Sequence, residues 1–173
     1  MQKMLLKFPL VSILLFGGIS RSQSYHYSAD LVHLKDDKVQ VTLQPPDNVK
    51  GSTTFFIPKF VPGTYAIYDF GRFVSDFSVL DKQGAEVTFE RPDANTWKFD
   101  AGAGISRITY WVEDTWDTQL DGPNVFEPGG SNFEEGKNFF LNNHCLFGYF
   151  EGLKIFLLKL PLSNLMVFLE LQF

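Results

Sequence analysis

Alternation of apolar and polar residues at every second position is the feature that most limits how this chain can fold. Over residues 38–44, Val39, Val41 and Leu43 alternate with polar residues, which is the pattern of a half-buried antiparallel strand. Pro45 follows and predicts the end of that strand, because proline cannot donate to a sheet ladder. The same alternation recurs over residues 105–112.

Strand-like segments of this kind recur at intervals of about ten residues, with turn residues between them. One such turn is Val61-Pro62-Gly63-Thr64, where proline presets φ at the second position and glycine accepts a positive φ at the third. No stretch before Gly152 repeats its apolar residues every 3.6 positions. A chain of 173 residues is long enough for one ordinary domain. The pattern predicts an all-β sandwich or barrel.

The first 22 residues have the features of a signal peptide. Lys3 and Lys7 precede an apolar run over residues 8–16, and small residues stand ahead of Gln23. The run is shorter than the ~18–20 residues that span a membrane, so we expect cleavage and export to a periplasm or the cell exterior, with no stable membrane span afterwards. A single cysteine excludes an intrachain disulfide, and a net charge of −5 argues against a nucleic-acid partner.

An acidic, glycine-rich segment lies between Arg107 and Lys137, with no lysine or arginine inside it. Such a run is compatible with a solvated surface loop or with an acidic rim that meets a cationic ligand, such as the free amino group of a peptide. A calcium site is a third reading, but the spacing of its aspartates is not that of the EF-hand loop. The acidic residues are Glu113, Asp114, Asp117, Asp121, Glu127, Glu134 and Glu135.

The histidines and the cysteine do not predict a catalytic or metal site. His26 and His33 are seven residues apart, so on one regular strand they point to opposite sides and cannot share a metal. His144 precedes Cys145 directly, but neighbours on an extended chain point apart and no third orienting group is identifiable. We therefore predict no catalytic residue and no metal ligand in this chain.

Several segments taken together resemble one family. They read FIPKFVPGTY, YDFGRFV, ITYWVEDTWD and FEPGGSNFEEGKN, the last running on to FGYFEG at 147–152. These segments look like the N-terminal domain of the glycyl aminopeptidase family of exported zinc metallopeptidases. The resemblance implies an antiparallel β-sandwich over residues 23–152, which in that family precedes a thermolysin-like catalytic domain and a PDZ domain.

The departures from the family are informative. The chain has no His-Glu-x-x-His motif, in which two histidines one turn apart hold zinc and the glutamate activates its water. The resemblance thus implies a non-catalytic domain with no cofactor of its own, whose partner is the zinc-bearing catalytic domain of the same chain. Glu127, Glu134 and Glu135 become candidates for lining the substrate cleft. Gly130 and Cys145-Leu146 stand where the family has Ala and Gly-Phe.

The last 21 residues differ from the rest of the chain. Residues 153–173 contain eight leucines and one acid, Glu170, so we predict that this tail is not part of the domain. Our hypothesis is that the reading frame was lost after Gly152 and that the chain is truncated before the catalytic domain. The alternative function is a stand-alone exported binding module for a glycan or a cation, with Trp97, Trp111 and Trp116 stacking on sugars.

Overall fold

The computed structural model describes residues 24–118 and 120–153, together with the backbone of residues 155–162 and 165–172. The predicted signal peptide at 1–22 lies outside these residues. Two 3-10 turns, Phe70–Phe73 and Glu127–Gly129, and one helical turn, α1 (Asn143–Leu146), interrupt the strands. The strands are β1 Ser24–Lys35, β2 Lys38–Gln44, β3 Ser52–Phe56, β4 Val74–Asp81, β5 Phe89–Asp93, β6 Thr96–Asp100, β7 Ile105–Glu113, β8 Asn132–Glu134, β9 Asn138–Phe140, β10 Tyr149–Phe150, β11 Ile155–Leu162 and β12 Leu165–Gln172.

The described strands form three sheets. The largest has the order β12-β11-β1-β2-β7-β4, the second has the order β10-β3-β6-β5, and β8 and β9 make a separate hairpin. All pairings are antiparallel except that of β1 with β11. The all-β, sandwich-like fold predicted from the sequence is confirmed. Within the described residues, none of the helices is long and apolar enough to cross a membrane.

The core lies between the two larger sheets and is built from the alternating residues. Val39, Val41 and Leu43 of β2 are all fully buried, as the period-two pattern predicts. Aromatic rings join the layers, because Phe77 of β4 stacks on Trp97 of β6 with ring centroids 4.7 Å apart. Offset and edge-on ring pairs of this kind add about 0.5–1.5 kcal/mol beyond the burial of their area.

One face assignment from the sequence fails at the edge of the smaller sheet. Val87 and Phe89 alternate with polar residues, which predicts that both point inward. The Phe89 side chain is instead 37% exposed, and every residue of β5 is exposed. The reason is topological, because β5 pairs only with β6 and is the last strand of its sheet. Phe89 keeps one edge-on ring contact with Phe77, at 5.3 Å between centroids.

Three buried tyrosines anchor residues 146–153. Tyr27 donates a hydrogen bond to the carbonyl of Gly148 (2.9 Å) and Tyr110 donates to that of Leu146 (2.7 Å). Tyr25 donates to the Leu153 carbonyl and accepts from the amide of Phe150. Burial raises the pKa of each of these phenols, so they remain neutral donors. These hydrogen bonds tie the segment 146–153 to strands β1 and β7 of the larger sheet.

The backbone beyond Leu153 continues as strands. Residues 157–159 of β11 lie parallel to Ser24–His26 of β1, and β12 returns antiparallel to β11 along its whole length. These pairings add two strands to the edge of the larger sheet. The proposed domain limit at Gly152 and the frame-loss origin of the tail stay predictions.

Candidate functional site

A buried carboxylate organises the acidic segment where it leaves β7. Asp114 is only 1% exposed. Its Oδ1 atom accepts from the amide of Trp116 and its Oδ2 atom accepts from the amide of Phe133, both at 2.6 Å. Burial raises the pKa of the Asp114 carboxyl, and the amide donors act against that shift. Asp114 therefore ties the start of the loop to strand β8.

A second set of hydrogen bonds closes the loop one residue further on. The amide and hydroxyl of Thr115 both donate to the carbonyl of Ser131 at 3.0 Å, and the Ser131 amide donates back to the Thr115 hydroxyl at 2.8 Å. The Ser131 hydroxyl accepts from the amide of Asn142 at 2.8 Å. The glycines, prolines and acids of residues 126–151 predict a long loop. These bonds, the β8–β9 hairpin and α1 instead make it a folded unit.

A cavity of about 360 Å³ opens beside this unit. The exposed indole of Trp116 forms part of its wall, and the indole N–H donates to the carbonyl of Glu127 at 2.8 Å. The lining residues are Arg72, Phe73, Thr115, Trp116, Asp117, Thr118, Leu120, Asn124, Val125 and Glu127. An aromatic ring beside two carboxylates is an arrangement that suits a cationic group.

Arg72 holds the far wall of the cavity together. Its guanidinium donates to the carbonyls of Asp121 (2.6 Å) and Pro123 and lies 4.6 Å from the centroid of the Phe73 ring. Burial lowers the pKa of Arg72, while nearby Asp69 raises it. Its Nε atom is buried and has no hydrogen-bond partner among the described residues. Arg72 thus orders the loop at 120–123, and both terminal nitrogens of its guanidinium donate to carbonyls of that loop.

The three acids proposed from the sequence are not brought together around one cavity. Glu127 is exposed and lines the cavity. Glu134 instead pairs with Lys137, with 2.8 Å between the carboxylate and the ammonium group, and this pairing raises the pKa of Lys137. Glu135 is an exposed turn residue. Cleft lining by these acids stays a prediction, and Glu127 has the most suitable position.

The histidines and the cysteine do not form a zinc site in the described part of the chain. His26 is hydrogen-bonded to Ser24 and His33 to Asp30, each at 3.0 Å. Across residues 24–118 and 120–153, no three His, Cys, Asp or Glu side chains are grouped as metal ligands would be. These residues do not fit the zinc that the family resemblance implies for a complete enzyme.

His144 and Cys145 lie in α1 rather than on the extended chain that the sequence suggests. The Cys145 side chain is buried, with its Sγ atom 3.5 Å from the carbonyl oxygen of Gly129, and burial raises its pKa to about 12. Burial also lowers the pKa of His144. A thiol with so high a pKa is a poor nucleophile at neutral pH. Cys145 is not among the residues with a positive φ, so its difference from the family causes no backbone strain.

The other departure also has a local explanation. A Cβ atom added at Gly130 would overlap the hydroxyl of Thr115, which is one of the groups that close the loop. In this arrangement alanine does not fit without a shift of the Thr115 side chain.

Sequence reasoning missed two features of this end of the molecule. Arg72 lines the cavity, and its position as the single basic residue of the aromatic segment YDFGRFV was the available signal. The second feature is an exposed apolar loop over residues 60–67, in which Tyr65 is fully exposed. The sequence signal for this loop was a run of eight uncharged residues just after strand β3. Such a run is equally typical of a buried segment.

Comparison with known families accounts for the fold and for the sequence motifs. Residues 26–164 match the family model described as the Peptidase M61 N-terminal domain. The chain belongs to this family. The match includes the segments at 56–65, 108–117 and 126–138 that carry the resemblance in the sequence, so the recognition is confirmed for the domain. The narrower name of glycyl aminopeptidase is consistent with it.

A solved structure supports the same fold. The crystal structure of an aminopeptidase N family protein from Idiomarina loihiensis matches this Peptidase M61 N-terminal domain with a TM-score of 0.64 and 19% sequence identity. The match covers 79% of this chain and 21% of that chain, so this chain spans about a fifth of the neighbour's length. No curated protein matches this chain.

Proposed function

We propose that this chain serves as the non-catalytic N-terminal domain of an exported zinc metallopeptidase of the glycyl aminopeptidase type. The observation that carries the proposal is the family match over residues 26–164, which is to a peptidase N-terminal domain. The lack of a His-Glu-x-x-His motif in the 173 residues supports a role without chemistry of its own. Its partner is then the catalytic domain that follows such a domain in the same polypeptide.

An assay on the purified chain tests the non-catalytic part of this proposal. We expect the chain starting at Gln23 to hold far less than one equivalent of zinc after dialysis and to release no product from aminoacyl-p-nitroanilides. Elemental analysis and absorbance give the two readouts. One equivalent of tightly held zinc together with amidase activity would overturn the proposal.

The cavity suggests how such a domain contributes to substrate binding. Glu127 and Asp117 line a recess beside Trp116, and carboxylates beside an aromatic ring favour a terminal ammonium group. In a complex with a family catalytic domain, Glu127→Gln is expected to raise KM for peptides with a free amino terminus. Glu90→Gln is the matched control, because Glu90 is exposed on strand β5 and does not line this recess. Equal KM values for the two variants would remove Glu127 from the cleft.

The truncation hypothesis has two tests, one on the tail of the protein and one on the gene. The family match extends past Gly152 to residue 164, and the backbone there pairs with β1. The first test therefore compares the chain that ends at Gly152 with the chain that includes the tail. We expect the chain ending at Gly152 to be the more monomeric form in size-exclusion chromatography. Sequencing beyond the stop codon is the second test. A shifted frame that encodes a thermolysin-like domain is the expected result, and its absence would defeat the hypothesis.

The alternative, a stand-alone glycan-binding module, is less well supported by the tryptophans. Trp97 is fully buried in the core and Trp111 is half-buried, whereas Trp116 is 41% exposed. A single accessible ring is a small platform for stacking on a sugar. Binding of the chain to a glycan array with loss on Trp116→Ala would revive this alternative.

A further inference from the structure

The loop over residues 60–67, called the apolar loop here, exposes large apolar side chains that lie next to one another. Phe60, Tyr65 and Ile67 are 53%, 101% and 63% exposed. Together with Val61, Gly63 and Ala66 they line a shallow depression of about 300 Å³. Single exposed apolar residues are ordinary, but a contiguous group marks an interaction surface.

The apolar loop is held rigidly at its base. The carbonyl of Lys59 accepts from the amides of Tyr68 (2.8 Å) and Asp69 (2.9 Å), which closes the loop. Inside it, the hydroxyl of Thr64 donates to the carbonyl of Val61 at 2.8 Å. The exposed side chains therefore stand on a preformed turn, and binding through a preformed surface loses little conformational entropy.

Tyr65 has a backbone conformation that is unfavourable for tyrosine, and no packing within the described residues stabilises it. Its φ is +54°, in the left-handed region that is unfavourable for a residue with a bulky side chain. Its side chain is fully exposed, so no packing inside the domain offsets that strain. An asparagine would adopt this conformation more readily. A tyrosine at this position is explained by a contact outside the domain.

The apolar loop adjoins the acidic segment described above. A Cβ atom added at Gly129 would lie 3.0 Å from the Thr64 methyl carbon, so the two loops are in contact. Phe126, three residues before Gly129, is 60% exposed, and Glu127 is exposed beside it. The apolar loop and the acidic segment therefore adjoin at Thr64 and Gly129.

We propose that the apolar loop is the docking surface for the metallopeptidase catalytic domain, and this inference rests on the function proposed above. In the Idiomarina loihiensis neighbour the matching part is 21% of the chain, so about four-fifths of that polypeptide lies beyond it and is available to cover such a surface. The catalytic domain is expected to offer an apolar recess. Phe60, Tyr65 and Ile67 fill the recess as anchors.

Binding of a catalytic domain supplied as a separate chain tests the inference. The probe is the catalytic domain of a full-length family peptidase, expressed without its own N-terminal domain. It is titrated by calorimetry against the full chain starting at Gln23. The triple variant Phe60→Ser, Tyr65→Ser, Ile67→Ser is expected to bind at least about 100-fold more weakly, because buried aromatic and aliphatic anchors dominate interface energies. Val32→Ser is the control, because Val32 is 69% exposed on strand β1, outside the apolar loop.

Tyr65→Asn separates a docking role from a structural one. We expect this variant to be as stable as the parent chain, or slightly more stable, because asparagine relieves the left-handed strain, while its binding weakens about 10-fold. A fall in the stability of the isolated chain would assign Tyr65 an internal role and overturn its docking role.

The outcomes for the proposed function and for the docking surface are distinct. If the parent chain does not bind the catalytic domain, the proposed function fails and the inference fails with it. If the parent chain and the triple variant bind equally well, the proposed function stands and the docking surface is wrong. A homodimer of the parent chain that the triple variant abolishes, without an effect on catalytic-domain binding, would assign the apolar loop to self-association and also overturn the inference.

Discussion

Replacement of Asp114 by asparagine is the most direct test of how the acidic segment is held. The two carboxylate oxygens of Asp114 accept from two amides at 2.6 Å, and the side chain is 1% exposed. Asparagine has one acceptor oxygen, so its NH₂ group must face the amide N–H of either Trp116 or Phe133. One charge-assisted hydrogen bond is lost and one buried N–H is left without an acceptor.

The magnitude follows from these contacts. A hydrogen bond to a charged acceptor contributes about 1.5–3 kcal/mol. Part of this is offset, because burial raises the pKa of the Asp114 carboxyl, so the ionised aspartate carries a desolvation penalty that asparagine does not. We expect Asp114→Asn to lower the free energy of unfolding by about 2 kcal/mol. Asp114→Ala, which leaves both amides unpaired, is expected to lower it by more.

Guanidinium unfolding followed by far-ultraviolet circular dichroism at pH 7 measures the change. Asp117→Asn is the matched control, since Asp117 is an exposed carboxylate in the same loop and surface changes of this kind stay within about 0.5 kcal/mol. Equal midpoints and slopes for the two asparagine variants would refute the reasoning. Water would then satisfy the two amides, and the buried carboxylate would not organise the loop.

Three further predictions concern the contacts of residues 145–148. Tyr27→Phe removes the donor to the buried Gly148 carbonyl at 2.9 Å and is expected to lower the free energy of unfolding by about 1–2 kcal/mol, whereas an unchanged guanidinium midpoint would mean that the carbonyl is satisfied otherwise. Gly148→Ala is expected to lower it by about 3 kcal/mol, because a Cβ atom there would overlap the Phe55 ring and the Phe56 carbonyl; a soluble variant with the parent melting temperature would contradict this. Burial raises the pKa of Cys145 to about 12, so we expect its thiol to react with Ellman's reagent at pH 8 only after unfolding, and stoichiometric reaction of the native chain within seconds would show that the site opens.

The strand faces could be predicted from the sequence because they depend on local geometry. Successive side chains of a strand point to opposite sides, so the alternation at Val39, Val41 and Leu43 was sufficient to assign them to the core. The turn at 61–64 was equally local, since Pro62 and Gly63 have the φ preferences of a type II turn and Gly63 has φ +91°. The family motifs likewise depend only on the order of the residues.

The position of Phe89 and the arrangement of the acids were decided by tertiary structure. Phe89 alternates like a core residue, but its strand is last in the sheet, and strand order is not encoded in the alternation of one strand. Asp114 and Glu127 belong to the same acidic run. Asp114 is buried and accepts a hydrogen bond from the amide of Phe133, whereas Glu127 is exposed to solvent.

The physical reason is the range of the interactions. Periodicity, turn preference and motif order are set by neighbours along the chain, and the sequence alone therefore determined the all-β class, the core faces and the family. The burial of a carboxylate, the exposure of Tyr65 and the cavity beside Trp116 depend on segments that are distant in sequence and meet only when the sheets pack. Those features, and with them the grouping of residues in the candidate site and at the docking surface, were decided by the tertiary structure.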